Sequence, residues 1–283
     1  MAFRYCGFAD EASREPREQL AVTKQAGWKA IEVRMAGAKN VCDFTPDEWR
    51  AFWALFQEAR VSIPCFGSQL CNWARPITTD FQVDVAELRR AAPYMREAGC
   101  KIIRVMSYPN AKKPWPLDQW RKEAARRLRE LATIAEGEGV ILGHENCSGY
   151  GGLGPQQYLE LAAVVNSPAF KLIFDTGNNT EHDQDPEATW RYYEATRAHI
   201  VHVHIKAYKR GADGKMATCF PDDDPVQRRL LADLKQRKYK GWLSIEPHLN
   251  AVIHAGKDID DKDKAKAVYV EYARRLTALV KSL

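Results

Sequence analysis

Eight short apolar runs alternate with longer amphipathic stretches along this chain, and that alternation constrains its fold more than any other feature. The runs are RYCGFA (4–9), KAIEVR (29–34), VSIPCFG (61–67), CKIIRVMS (100–107), VILGHEN (140–146), KLIFDTG (171–177), IVHVHIK (200–206) and WLSIEPH (242–248). Each has the length of a buried strand, and each is followed by apolar residues at helical spacing. Several helices mark their own ends. In TPDEWRAFWALFQEAR, Thr45 takes the N-cap, Pro46 the first helical position and Glu48 the capping-box position. The segment PLDQWRKEAARRLRELATIAEGEG stops at Gly137 and Gly139. Strand and helix recurring about every 35 residues, with no internal sequence repeat, predict a single (β/α)8 TIM barrel over residues 1–283. A doubly wound open sheet is the other product of such alternation, but no strand-to-helix turn carries the glycine pattern of a nucleotide-binding loop.

Charge and cysteine usage exclude several function classes. Lys and Arg number 42 against 37 Asp and Glu, and the balance of +5 is spread in short clusters, as on a solvated surface. No nucleic-acid partner is expected. The N-terminal stretch MAFRYCGFADEAS has no basic region ahead of a long apolar one, and no segment approaches the roughly 18–20 apolar residues of a membrane span, so a soluble, cytoplasmic protein is expected. The 7 cysteines form no CxxC pair and fit neither a disulfide framework nor a zinc ribbon; most are expected to be small buried hydrophobes.

In a barrel of this kind the C-terminal ends of the strands converge on one mouth. The four late strands end in Glu145 and Asn146, in Asp175, in His202 and His204, and in Glu246 and His248. Carboxylate oxygens with an imidazole nitrogen are a ligand set for Mn²⁺, Mg²⁺, Co²⁺ or Zn²⁺. Three carboxylates brought this close repel one another unless a cation compensates them. Each residue alone has a plainer explanation: a strand-end Asp or Glu often caps the next helix, and a strand His is often a hydrogen-bonded core residue. In HVHIK the period of two places His202, His204 and Lys206 on one face, so that with His204 as a ligand His202 lies one layer deeper.

At HEN (144–146), FDTGN (174–178), HVHIK (202–206) and SIEPH (244–248), the chain resembles the sugar phosphate isomerase/epimerase family. These xylose-isomerase-like barrels include D-tagatose 3-epimerase, inosose dehydratase and, more distantly, the apurinic endonucleases. The resemblance covers essentially the whole chain, and the order and spacing of the motifs carry it. It implies metal ligands at Glu145, Asp175, His204 and Glu246 holding one divalent ion, Mn²⁺ first, with Co²⁺, Mg²⁺ and Zn²⁺ as alternatives. It also implies proton exchange by Glu145 and Glu246 on the two faces of the substrate. The expected substrate contacts are Asn146, Asn178, His202, Lys206, Arg104 and Trp73. Glu11, Glu32 and Arg34 stand at other strand ends, either as further polar contacts or as structural ion pairs, and Trp115 follows the fourth strand.

Two departures matter. Many members have a histidine three residues after the Asp175 position, where this chain has Asn178, which cannot carry a proton at neutral pH. No histidine precedes residue 144, so the extra ligands of the endonucleases' trinuclear zinc cluster are lacking and DNA cleavage is not expected. The activity implied is a metal-dependent isomerase or epimerase acting on a ketose or keto-sugar. A lyase or dehydratase acting on a keto-sugar, keto-glycoside or keto-inositol is the alternative, and a non-catalytic sugar-binding subunit a third. The expected partner is a small carbohydrate, and a homo-oligomer is compatible with the sequence.

Overall fold

The structure, a computed structural model, describes residues 3–249 and 261–283; His254 lies outside them. Its strands are β1 (Arg4–Gly7), β2 (Met35–Ala36), β3 (Lys39–Asn40), β4 (Cys65–Phe66), β5 (Ile102–Ser107), β6 (Ile141–Gly149), β7 (Phe170–Asp175), β8 (Ile200–Ile205), β9 (Tyr208–Arg210), β10 (Met216–Thr218) and β11 (Trp242–Ile245). The helices are α1 (Pro16–Gln25), α2 (Pro46–Ala59), α3 (Gln82–Glu97), α4 (Leu117–Glu138), α5 (Pro155–Val165), α6 (Asn178–Asp183), α7 (Pro186–Thr196), α8 (Gln227–Gln236) and α9 (Lys262–Lys281).

Seven strands form one parallel sheet in the order β1-β11-β8-β7-β6-β5-β4. Segment 30–34 closes the gap between β4 and β1. It bridges to Ser62 and Phe66 on one side, and on the other the Glu32 amide donates to the Gly7 carbonyl at 3.1 Å. All eight apolar runs therefore stand in the wall of a (β/α)8 barrel, although KAIEVR makes isolated bridges where a regular ladder was expected. The hairpins β2–β3 and β9–β10 lie outside that sheet.

Local signals acted as the sequence suggests. The capping box of α2 forms, with the Thr45 side chain accepting from the Glu48 amide and Glu48 accepting from the Thr45 amide. Trp49, Phe52 and Phe56 share one helical face, and all three are buried. Each such side chain contributes about 1.5–3 kcal/mol by leaving water. Helix α4 runs through Gly137 and stops at Gly139, whose φ of +70° supplies the left-handed cap. All 7 cysteines are free thiols, six of them buried. Among the described residues no helix is long and apolar enough to cross a membrane.

Gly149 marks where β6 leaves regular pairing with β5. Its φ is +83°, and an added Cβ would lie 2.4 Å from the Ser107 carbonyl carbon, which is backbone and cannot swing aside. Gly149→Ala is therefore expected to lower stability by about 2–4 kcal/mol through left-handed strain and overpacking together, as read by chemical denaturation.

Candidate metal and active site

Strands β6, β7, β8 and β11 are neighbours in the wall, and Glu145 within β6, Asp175 at the end of β7, His204 near the end of β8 and Glu246 just past β11 come together towards the mouth. One ligand atom from each of these four buried residues lies within 4.8 Å of the other three. Above them opens a cavity of ≈ 390 Å³. Glu145, Glu246, Arg104, Lys206, Asn178 and His248 give it charge and hydrogen-bonding capacity, and Trp73, Met106, Cys147 and Tyr208 give it apolar wall.

Asp175 shows how the plain and the functional readings of a strand-end carboxylate coexist. Its Oδ1 accepts from the amides of Gly177 and Asn178 at 2.8 and 2.7 Å, organising the turn into α6. Its Oδ2 is buried and accepts no hydrogen bond, the Lys206 ammonium standing 3.7 Å away. Glu145 Oε1 meets His204 Nδ1 at 3.0 Å, and Glu145 Oε2 faces Arg104 at 3.3 Å. Glu246 Oε1 accepts from Arg34 at 2.7 Å, and its Oε2 lies 3.2 Å from Lys206. Glu145 Oε2, Asp175 Oδ2 and Glu246 Oε2 are all buried without a hydrogen-bond donor. Three such oxygens beside an imidazole form a donor set that fits a divalent cation.

The charges reinforce one another. Burial alone pushes both glutamates up, but Arg104 and His204 bring Glu145 down to about 2, while Lys206, His248 and Arg34 hold Glu246 well below the usual carboxylate range. Burial raises Asp175, with Lys206 opposing it. Burial also works against the Lys206 ammonium, yet Asp175, Glu246 and Glu145 hold its pKa well above the ordinary lysine value. Beneath the cluster, the buried Phe8 ring carries the Arg34 guanidinium 4.2 Å and that of Arg104 5.6 Å from its centroid, with the His204 ring at 5.1 Å.

The expected substrate contacts separate into two groups. Arg104, Lys206, Asn178 and Trp73 line the cavity, Asn178 Oδ1 accepting from Lys206 Nζ at 3.0 Å and Trp73 standing 45% exposed. Asn146 and His202 turn elsewhere. Asn146 accepts from the Asp175 amide at 2.7 Å and donates to the Asp175 carbonyl at 2.9 Å and to Asn179 Oδ1 at 2.8 Å, pinning the end of β7. His202 bonds to Glu32 at 2.7 Å, one layer below His204. Trp115 packs, partly buried, against the core. Around Glu246, Arg34 and Glu11 take the ion-pair role that the sequence left beside a polar contact. Arg34 is clamped to Asp10 at 2.8 and 3.1 Å, and the His248 amide donates to Glu11 at 2.9 Å. Phe8 looks in the sequence like any strand aromatic.

His144, the neighbour of Glu145 on β6, packs against Tyr158 and Phe170 with ring centroids 5.5 and 5.8 Å away, and neither ring nitrogen has a hydrogen-bond partner. Burial pushes its pKa down to about 4, so the folded ring stays neutral while the unfolded one protonates near the ordinary value. Because the folded value is the lower one, stability is lost as pH falls from the unfolded pKa towards 4, by up to roughly 3 kcal/mol. Chemical denaturation between pH 7 and 4 checks this: His144→Leu should flatten that part of the profile, and an unchanged slope would reject the assignment.

Residues 20–279 match the xylose isomerase-like TIM barrel family. A 2-epi-5-epi-valiolone 7-phosphate 2-epimerase from Actinoplanes sp. is 29% identical over 153 residues, 54% of this chain and 53% of that protein, so the chain spans about half the length of this curated relative. The structure of a probable 3-DHS dehydratase, AsbF, from Bacillus anthracis superposes with a TM-score of 0.71 at 15% identity, covering 98% of this chain and 99% of that one. A D-allulose 3-epimerase from Methylomonas sp., solved in complex with D-allulose, gives 0.67 at 19% identity, covering 97% and 98%. At these identities the two structures speak for the fold alone. The family match extends over nearly the whole of the barrel just described, and the chain belongs to the xylose isomerase-like TIM barrel family.

Proposed function

We propose that this chain is a divalent-metal-dependent epimerase or isomerase of a ketose or keto-sugar, working by proton transfer at the carbon beside a carbonyl. One observation carries the reading: Glu145 and Glu246, from wall strands separated by two others, line the same cavity, and each has a buried oxygen without a donor. A curated relative named as an epimerase supports the same class. Glu145, Asp175, His204 and Glu246 would hold the ion, which when bound polarises a substrate carbonyl and stabilises the negative charge that develops as the adjacent carbon loses its proton.

The protein's own groups do the rest. One glutamate takes the proton and the other returns one to the opposite face, giving epimerisation; return to the neighbouring carbon gives isomerisation. Lys206 and Asn178 offer donors to substrate hydroxyls, and Trp73 and Met106 offer a surface to the apolar face of the sugar. Elimination of a β-oxygen begins with the same abstraction, so product mass separates the two chemistries.

The test is turnover of ketoses, 3-keto-glycosides and inosose in heavy water with Mn²⁺. The expected result is one solvent deuterium at the reacting carbon, with activity lost in EDTA and restored by the ion. Turnover that leaves no deuterium in the product rejects proton transfer in favour of a hydride shift. A product lighter by one water identifies the lyase instead, and activity indifferent to EDTA removes the metal.

A further inference from the structure

Deep in the barrel, Glu32 touches both histidines of HVHIK. Its Oε2 lies 2.7 Å from His202 Nε2 and its Oε1 lies 3.1 Å from His204 Nε2. The three side chains are fully buried, and the two imidazole rings stand perpendicular with centroids 5.4 Å apart. The backbone of Glu32 closes the barrel against Gly7, so this carboxylate is fixed at both ends.

We infer that Glu32 is the positioning residue of the metal site, holding His202 and His204 with their Nε2 atoms protonated and presenting His204 Nδ1 to the ion. The inference rests on the metal-dependent reading above. An ionised carboxylate can only accept hydrogen bonds, so both Nε2 atoms facing it must carry hydrogen. Nε2 is thereby committed to Glu32, and Nδ1, whose proton the Glu145 carboxylate holds until an ion displaces it to solvent, is the nitrogen of His204 that can ligate. Nδ1 is also the nitrogen that faces the cluster, 3.0 Å from Glu145 Oε1. A carboxylate behind a ligating imidazole fixes its tautomer and ring orientation and strengthens it as a donor. His202 then serves as a strut: it occupies the second oxygen of Glu32 and stops the carboxylate from rotating away from His204. This gives the deep histidine a role even though it does not line the cavity. The contacts also account for a buried charged residue in a wall segment that forms only isolated bridges.

A competing arrangement uses the same atoms. Cys6, Glu32 and His202 place one ligand atom each within 4.8 Å, which is the start of a second cation site. Both Glu32 oxygens already meet imidazole nitrogens, and using one as a ligand would release its histidine. Metal stoichiometry separates the two arrangements.

The experiment has three arms. First, the wild-type chain is titrated with Zn²⁺, and the ring tautomers of ¹⁵N-histidine-labelled, zinc-loaded protein are read by long-range ¹H–¹⁵N correlation. One ion per chain is expected, with His204 bound through Nδ1 and His202 protonated at Nε2. Second, Mn²⁺ and Zn²⁺ affinities are measured by chelator competition for Glu32→Gln and Glu32→Asp. A glutamine can accept from only one of the two imidazoles, so E32Q should bind metal about 10–100-fold more weakly. E32D, which keeps the charge on a shorter arm, should recover part of that loss. Third, Cys6→Ser is titrated alongside and should match wild type.

His204 bound through Nε2, or an E32Q affinity equal to wild type, overturns this inference and leaves the epimerase reading standing. A second ion that disappears in C6S makes Glu32 a ligand and also overturns it. Wild-type protein that takes up no ion overturns the metal-dependent reading itself, and this inference with it. The wild-type tautomer measurement decides the matter even where E32Q does not fold.

Discussion

Glu145→Gln and Glu246→Gln are each expected to lower turnover by about 10²–10⁴-fold, the range a positioned acid or base contributes, while deuterium exchange is retained on one face of the substrate only. The two variants should differ in metal affinity. Glu246 Oε1 accepts from Arg34 and its Oε2 faces Lys206, so a glutamine there can serve one cation and must turn an N–H towards the other. Glu145 has a single arginine, at the longer distance of 3.3 Å, and one imidazole nitrogen, His204 Nδ1, at 3.0 Å. E246Q should therefore lose more metal affinity than E145Q, and isothermal titration with Mn²⁺ measures the difference. Exchange without inversion in both variants is the signature of two bases acting on two faces. Complete loss of exchange in one variant with normal turnover in the other would mean that a single glutamate does all the proton transfer, and the two-base mechanism would fail.

The sequence shows the cluster of Glu145, Asp175, His204 and Glu246 because its residues lie on neighbouring wall strands, at or near the ends of apolar runs, where period-two alternation marks the position. Asp175 is visible because only apolar residues stand between it and Lys171 in KLIFD, and HVHIK shows its inward face directly. What supports the cluster is not visible in this way. Arg34 belongs to a run paired to its neighbours through bridges alone, and its partners Asp10 and Glu246 are 24 and 212 residues away. No periodicity within a strand encodes which carboxylate a buried arginine will meet across the barrel. The same holds for Asn146, whose strand-end position resembles that of a substrate contact but whose amide is used by the backbone of β7. Helix α6 has no sequence signal of its own, because NNTEHD has no apolar stripe; the Asp175 carboxylate organises its first turn. Local spacing thus reveals what points at the mouth, and only the closed barrel reveals what stands behind it.

Arg34→Met should cost about 3–5 kcal/mol of stability, the usual consequence of breaking a buried ion pair from one side. The guanidinium meets Asp10 at 2.8 and 3.1 Å, Glu246 at 2.7 Å and Glu11 at 3.5 Å, and all four side chains are at most 5% exposed. Methionine fills similar space against Phe8 but leaves three carboxylates facing one another with one fewer cation between them. Arg34→Lys should recover only part of the loss, because a single ammonium cannot span the fork that links Asp10 to Glu246. Adding Asp10→Asn to Arg34→Met removes one uncompensated charge and should restore about 0.5–3 kcal/mol, the usual range of coupling between residues in contact. If the four strand-end residues hold a divalent ion, saturating Mn²⁺ stabilises folded R34M by mass action, about 2.7 kcal/mol at a hundredfold excess over Kd. Denaturant melts of the three variants with and without Mn²⁺ measure each of these quantities. An R34M protein as stable as wild type would show that Arg34 does not hold the carboxylates around Glu246. A substrate hydroxyl or carboxylate would then be the better reading of why a buried arginine stands at the end of wall segment 30–34.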